Sequence, residues 1–126
     1  PLLEVIRHIH TVRHVRSLAG GLPLVSSGYS YLQDWLPHVA EHELASNHAD
    51  MIGLGRSMLS YPTLPADVLA GRPLNRKQLC RTFSDCTTGP RNGMISGCYP
   101  LDPQYASLPQ AATISAMRRD AMKGGL

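Results

Sequence analysis

Two short segments carry residue types that bind phosphate. They are Ser26-Ser27-Gly28 and Gly53-Leu54-Gly55-Arg56. Phosphate is held by backbone N–H groups that point at it and by a guanidinium that can bind two of its oxygens at once. Taken singly, the glycines also fit ordinary tight turns, and Arg56 fits a solvated charge. Taken together, the segments predict two loops that bind the phosphate of a cofactor.

The three cysteines, Cys80, Cys86 and Cys98, form a second set of residues with chemical potential. Their odd number predicts free thiols in a reducing compartment rather than a disulfide framework. No histidine lies within the cysteine segment to complete the four ligands of a structural zinc site. We therefore expect no zinc at these residues.

Two histidine pairs have the spacing that lets two imidazoles share a metal ion. His10 and His14 are four residues apart, as are His38 and His42. Neither pair carries the glutamate of the H-E-x-x-H zinc motif. The sequence therefore predicts that these histidines lie on exposed helix surfaces and bind no metal.

The phosphate loops follow two short apolar segments that alternate with helices. Apolar residues recur at helical spacing over residues 2–18 and about 30–45, where Pro37 must lie in a first turn or at a kink. The runs at 22–25 and 49–54 have the length and composition of buried parallel strands. Each loop is therefore predicted to close one strand.

The rest of the chain contains fewer regular signals. A short helix is predicted over residues 65–70, an irregular stretch over 72–110 and a last helix over 111–122. We divide the chain into an incomplete barrel portion, 1–78, and a cysteine-containing C-terminal extension, 79–126.

Alternating strands and helices imply a parallel sheet with right-handed crossovers. In a doubly wound sheet the phosphate loop follows the first strand and reads G-x-G-x-x-G, a motif that the chain lacks here. In a (β/α)8 TIM barrel the phosphate site commonly uses the loops after strands 7 and 8. The predicted fold class is therefore α/β: the last two β/α units of a TIM barrel, followed by an irregular, partly helical extension.

The segments 24–29, 49–56 and 61–72 resemble the end of the old yellow enzyme family of FMN-dependent NADH:flavin oxidoreductases. Proteins of that family are TIM barrels, and their last two strands end in loops that hold the FMN phosphate. The resemblance implies FMN binding by five residues: Ser27, Gly28, Tyr29, Gly55 and Arg56.

The same resemblance implies an oxidoreductase that takes hydride from NAD(P)H onto FMN and passes it to an activated alkene or a related small molecule. The family's tyrosine proton donor and its substrate-binding His or Asn residues belong to earlier strands, so we predict no catalytic residue in this chain. A complete barrel takes about 250 residues. The sequence is thus interpreted as a C-terminal fragment that is inactive alone and lacks the remainder of the barrel.

The dienoyl-CoA reductase and trimethylamine dehydrogenase branch of the family carries an iron–sulfur cluster on cysteines spaced C-x2-C-x3-C-x11-C. The present spacing is C-x5-C-x11-C, with Phe83 where the second cysteine would stand. A cubane cluster usually needs four thiolates, so a fourth ligand such as Asp85 would be required. These departures argue against a cluster, and an iron–sulfur or metal-binding electron-transfer module on Cys80, Cys86 and Cys98 is the alternative function.

The charge of the chain does not indicate a nucleic-acid partner. The net charge is +3, but its twelve Lys and Arg residues are scattered rather than clustered. No apolar run approaches the roughly 18 residues that a membrane span requires. We expect a cytoplasmic protein whose partners are FMN and a small-molecule substrate.

Overall fold

The computed structural model describes residues 2–123, apart from the side chain of Met122, and more than half of the chain is helical. The α-helices are α1 (Leu2–Leu18), α2 (Leu36–Ala45), α3 (Ser57–Ser60), α4 (Leu64–Leu69), α5 (Asp85–Arg91), α6 (Pro103–Ala106) and α7 (Gln110–Lys123). A 3-10 helix spans Tyr29–Trp35, and the strands are β1 (Val25–Ser26) and β2 (Met51–Ile52). Within this described part, no helix is both long and apolar enough to cross a membrane.

The two strands form one parallel pair. Val25 lies opposite Met51, and Ser26 lies opposite Ile52. The ladder continues for one more bond, since the N–H of Gly53 donates to the carbonyl oxygen of Ser26 at 2.7 Å. Because the strands are parallel, the loops that follow them leave from the same edge of the sheet.

The predicted fold class is wrong: these elements are not the last two β/α units of a TIM barrel. Each strand has only two residues, and the pair is the whole sheet in residues 2–123. Barrel strands are covered on both faces, whereas Val25 is 52% exposed and Met51 is 50% exposed. The apolar runs have the composition of buried strands, but little of either run pairs, and helices dominate the chain around them.

Arg16 of α1 connects that helix to both strands. Its guanidinium donates to the two carboxylate oxygens of Asp50, at 2.7 and 3.0 Å. It also donates to the carbonyl and side-chain oxygens of Asn47, at 3.1 and 2.6 Å. Asp50 in turn accepts the N–H of Leu24 at 2.7 Å. Arg16 and the N–H of Leu24 lower the pKa of Asp50, which keeps this carboxylate charged.

The first helix forms where its spacing predicts, but only a narrow part of its apolar face is covered. Val5 is its one buried residue, and Ile9 and Val12, which follow it at helical spacing, are half-buried. Leu2, Leu3 and Ile6 are exposed.

The predicted helix over about 30–45 is divided into two. The first part is the 3-10 helix and the second is α2, and Gln33, with φ 49° and ψ −115° outside the helical region, kinks the 3-10 helix from within. Pro37 lies in the first turn of α2, one of the two places predicted for it. Trp35, expected on the apolar stripe, is 70% exposed.

The segment predicted to be irregular contains α5 and α6, and α5 packs against α7. A Cβ at Gly89 would lie 3.3 Å from Ile114 and 3.2 Å from the carbonyl oxygen of Ile95, so the helices approach closely at this glycine. Ile114 is 1% exposed. Ordinary packing thus orders the C-terminal segment.

A small apolar core lies beneath the segment that follows β2. Tyr61, Leu64 and Leu79 are each at most 4% exposed, and Leu54 and Leu74 pack against them. This core connects the second of the two predicted loops to the chain that leads to the cysteines.

We expect Leu64→Ala to lower the free energy of unfolding by about 2–5 kcal/mol, the usual cost of emptying a leucine site in a core. Leu64 is 1% exposed, whereas Leu69 on the same helix is 88% exposed. The matched change Leu69→Ala should alter stability by at most about 0.5 kcal/mol. Urea unfolding of both variants measures the difference, and equal effects would contradict this assignment of the core.

Candidate functional site

The two predicted phosphate loops lie side by side. Each begins at the carboxyl end of its strand, and hydroxyl groups join them further along, since the Oγ atoms of Ser30 and Ser57 are 2.9 Å apart. A Cβ at Gly53 would lie 3.3 Å from the Cβ of Ser27, so the loops approach each other closely at their base. The structure therefore brings the two segments together at one edge of the sheet.

Gly28 is required by the local fold. Its φ is 90°, a left-handed conformation that glycine adopts without strain. A Cβ there would lie 3.2 Å from the imidazole of His8. Turn geometry and packing thus account for glycine at this position.

Gly55 differs from Gly28 because its conformation and packing do not demand glycine. Its φ is not in the left-handed region, and no atom outside its chain neighbours lies within 4 Å of the place a Cβ would occupy. Open space therefore surrounds the backbone of the second loop just before Arg56. A ligand can approach the main chain closely at this point.

Tyr29 lies in the interior rather than at the surface of the loops. It is 1% exposed, and its hydroxyl is 2.5 Å from the Oγ of Ser26. Burial raises the pKa of Tyr29, so the hydroxyl stays neutral. Its side chain supports the first loop from within, and any contact with a ligand would come from its main chain.

Arg56 is exposed and extends toward the cysteine segment. Its Nη1 donates to the Oγ of Ser84 at 3.3 Å, longer than an ordinary hydrogen bond. A guanidinium carries five N–H donors, so this bond occupies little of its capacity. Ser84 was not among the predicted site residues, because a serine 28 positions away carries no local signal of this contact.

The three cysteines line one small cavity. Cys80, Cys86 and Cys98 are free thiols and share its wall with Arg56 and Asp85. The cavity measures about 20 Å³, enough for about one water molecule. The structure thus gathers residues that are distant in sequence, around a space far smaller than an iron–sulfur cluster.

The environment of this cavity favours the protonated form of two of its thiols, those of Cys86 and Cys98. Burial raises the pKa of Cys86, and the positive charge of Arg56 opposes part of that rise. Burial likewise raises the pKa of Cys98. Within the part of the chain described, the three sulfur atoms do not form a set lying within 4.8 Å of one another, so they do not outline a single-ion site.

Asp85, suggested by the sequence as a fourth cluster ligand, already has a partner. It is 4% exposed, and Nη1 of Arg118 lies 2.7 Å from its Oδ2. Burial raises the pKa of Asp85, and Arg118 opposes that rise. The same guanidinium lies 4.7 Å from the centre of the Phe83 ring. Asp85 and Phe83 therefore connect the cavity to α7.

No known family model, curated protein or solved structure matches this chain.

We expect Arg56→Gln to slow alkylation of Cys86 by iodoacetamide at mildly alkaline pH. Burial raises the pKa of this thiol and Arg56 lowers it, so loss of the charge leaves less of the reactive thiolate at a given pH. Mass spectrometry of digested protein follows each cysteine separately. Arg7→Gln, which removes an equal charge paired with Glu4 on α1, is the control. An unchanged profile for Cys86 would contradict this influence of Arg56.

Proposed function

We propose that the two loops bind the phosphate of FMN, and that the chain serves an FMN-dependent NAD(P)H oxidoreductase acting on an activated alkene or a related acceptor. The observation that carries the proposal is the open backbone at Gly55 beside the exposed guanidinium of Arg56, on a loop whose base lies against Ser27. The resemblance of the two segments to FMN-binding loops supports the choice of ligand.

The loop residues fit a phosphate in charge and in shape. Arg56 supplies a positive charge with several donors, and a planar guanidinium can bind two phosphate oxygens together. Gly55 has open space beside its backbone, which allows an anion to come close. The Oγ of Ser57 already pairs with Ser30, which fixes the second loop against the first.

FMN and the residues of this chain would have different roles. FMN, when bound, would carry the hydride between NAD(P)H and the acceptor. The two loops would hold and orient its phosphate end, while Tyr29 and Ser26 support the first loop from inside. We assign no acid, base or acceptor-binding group to this chain.

We expect the protein to bind FMN more tightly than riboflavin, which lacks the phosphate. Hydrogen bonds to charged groups contribute about 1.5–3 kcal/mol, so Arg56→Gln should weaken FMN binding roughly 10- to 100-fold. Gly55→Ala should also weaken FMN binding, because its methyl group enters the space beside the loop without disturbing the fold. Riboflavin binding should change little in either variant. Quenching of flavin fluorescence measures the affinity of the unaltered protein and of both variants for each flavin.

Arg7→Gln removes the same charge from α1, where Arg7 pairs with Glu4, and should leave FMN binding unchanged. Circular dichroism establishes that each variant is folded. Equal affinity of the unaltered protein for FMN and riboflavin, or equal losses in Arg7→Gln and Arg56→Gln, would contradict a phosphate site at these loops.

A second candidate is an iron–sulfur or metal-binding electron-transfer module on the three cysteines. The observation that favours it is the convergence of Cys80, Cys86 and Cys98 on one cavity. The cavity would have to widen to accept a cluster, and a fourth ligand would have to join the three thiolates.

If the cysteines hold a cluster, protein purified without oxygen should contain iron and acid-labile sulfide in near-stoichiometric amounts and absorb broadly in the visible. Cys98→Ser should lower both contents strongly, whereas Ser96→Ala, a change in the same loop that leaves every thiol in place, should not. Ser96 makes only a hydrogen bond to the carbonyl of Cys86 at 2.9 Å. Absence of iron, sulfide and colour from freshly purified protein would reject this candidate.

A further inference from the structure

A cluster of metal-binding side chains lies at the C-terminal end of α2, apart from the residues of the two loops. His42, Glu43 and His48 each offer one ligand atom, and these atoms all lie within 4.8 Å of one another. In residues 2–123 no other three His, Cys, Asp or Glu side chains meet that condition. Two imidazoles and one carboxylate are the ligand set of a well-known class of zinc site.

The end of α2 explains why residues six positions apart in sequence come together. The N–H of His48 donates to the carbonyl oxygen of Glu43 at 2.9 Å, and the N–H of Ser46 donates to that of His42 at 3.0 Å. Asn47 has φ 56°, the left-handed conformation typical of a helix end. The turn therefore folds His48 back beside Glu43 and His42.

Glu43 is placed and charged as a ligand should be. It is 1% exposed, and Arg13 of α1 donates to its Oε1 at 2.5 Å and to its Oε2 at 3.2 Å. The hydrogen bond from Arg13 lowers the pKa of Glu43 against the opposing effect of burial. Each carboxylate oxygen has about two lone-pair sites, so Oε2 can accept this bond and still coordinate a metal ion, while Arg13 orients the carboxylate.

His48 directs a buried nitrogen at the same oxygen. Its Nδ1 lies 3.2 Å from Oε2 of Glu43, yet it makes no hydrogen bond of acceptable geometry and is shielded from solvent. Ligand atoms bound about 2.0–2.2 Å from one tetrahedral zinc ion lie roughly 3.3–3.5 Å apart. The nitrogen and the oxygen are therefore spaced as two ligands of one ion would be.

The imidazole of His42 completes the set from the exposed side. The ring centres of His42 and His48 are 6.2 Å apart, and their planes are inclined by 67°. His42 is exposed, so solvent and metal ions reach the cluster from this side.

We propose that His42, Glu43 and His48 bind a zinc ion, with Arg13 as a positioning residue for Glu43. Three protein ligands leave one tetrahedral position for water or for a small anion. A bound ion would also fix the turn after α2 to that helix and, through Arg13, to α1. This inference does not depend on FMN binding.

Zinc titration of the full chain, followed by NMR of the histidine ring nitrogens, tests the proposal directly. We expect the nitrogens of His42 and His48 to shift on addition of Zn²⁺, while those of His38 do not. This readout is specific to imidazoles, so zinc bound by the cysteine thiols does not interfere. Loss of an outer-shell partner alone lowers metal affinity about 10- to 100-fold. His42→Gln and His48→Gln should each weaken binding at this site at least ~100-fold.

His38→Gln is the matched control, since His38 is an exposed histidine one turn earlier on the same helix. It should leave zinc affinity at the site unchanged. If added zinc does not shift the His42 and His48 resonances of the unaltered protein, the proposal is overturned. The three residues His48, Glu43 and Arg13 would then form only a polar contact within the protein. An equal loss in His38→Gln would overturn it in favour of a site on His38 and His42.

Discussion

The bonds of one guanidinium hold the centre of this structure together. The sheet has only two residue pairs, and an isolated pair of strands is marginal in water. Arg16 donates to both oxygens of Asp50 at the start of the second strand, and Asp50 accepts the N–H of Leu24 next to the first. Each loop begins within two residues of the ladder, so this contact supports the pair of strands from which both loops leave.

A second arginine on the same helix makes an equivalent contact with α2. Arg13 binds the buried carboxylate of Glu43, so α1 is attached to the strands by one ion pair and to α2 by another. The apolar side chains of Leu2, Leu3 and Ile6 remain exposed. The two ion pairs therefore add to the covered face of Val5, Ile9 and Val12 in attaching this helix.

The sequence predicts local features well where the signal is local. Regular spacing predicts the extent of α1, the short apolar runs predict β1 and β2, and Pro37 is found in a first helical turn. The prediction of a barrel was wrong because the number of strands in a sheet and the closure of a barrel depend on strand pairing that no local sequence pattern specifies. Gln33 breaks the second helix through its backbone conformation, and nothing in a sequence window announces that break.

The candidate site likewise has some features that the sequence predicts and others that it does not. Glycine and arginine types at the loops are readable from the sequence, and their proximity follows from parallel pairing. The contact between Arg56 and Ser84, the burial of Tyr29 and the meeting of His42 with His48 depend on tertiary folding. The sequence does not predict these features, since the residues concerned are separated by turns whose direction it does not reveal.

Arg56 belongs to the second loop of the proposed phosphate site and also lines the cavity of the thiols. Its charge favours the thiolate form of Cys86. An anion that pairs with this guanidinium weakens that influence, so occupancy of the loop and ionisation of the thiol are thermodynamically linked. This linkage is reciprocal. Because a bound anion disfavours the Cys86 thiolate, formation of that thiolate must weaken anion binding by the same factor.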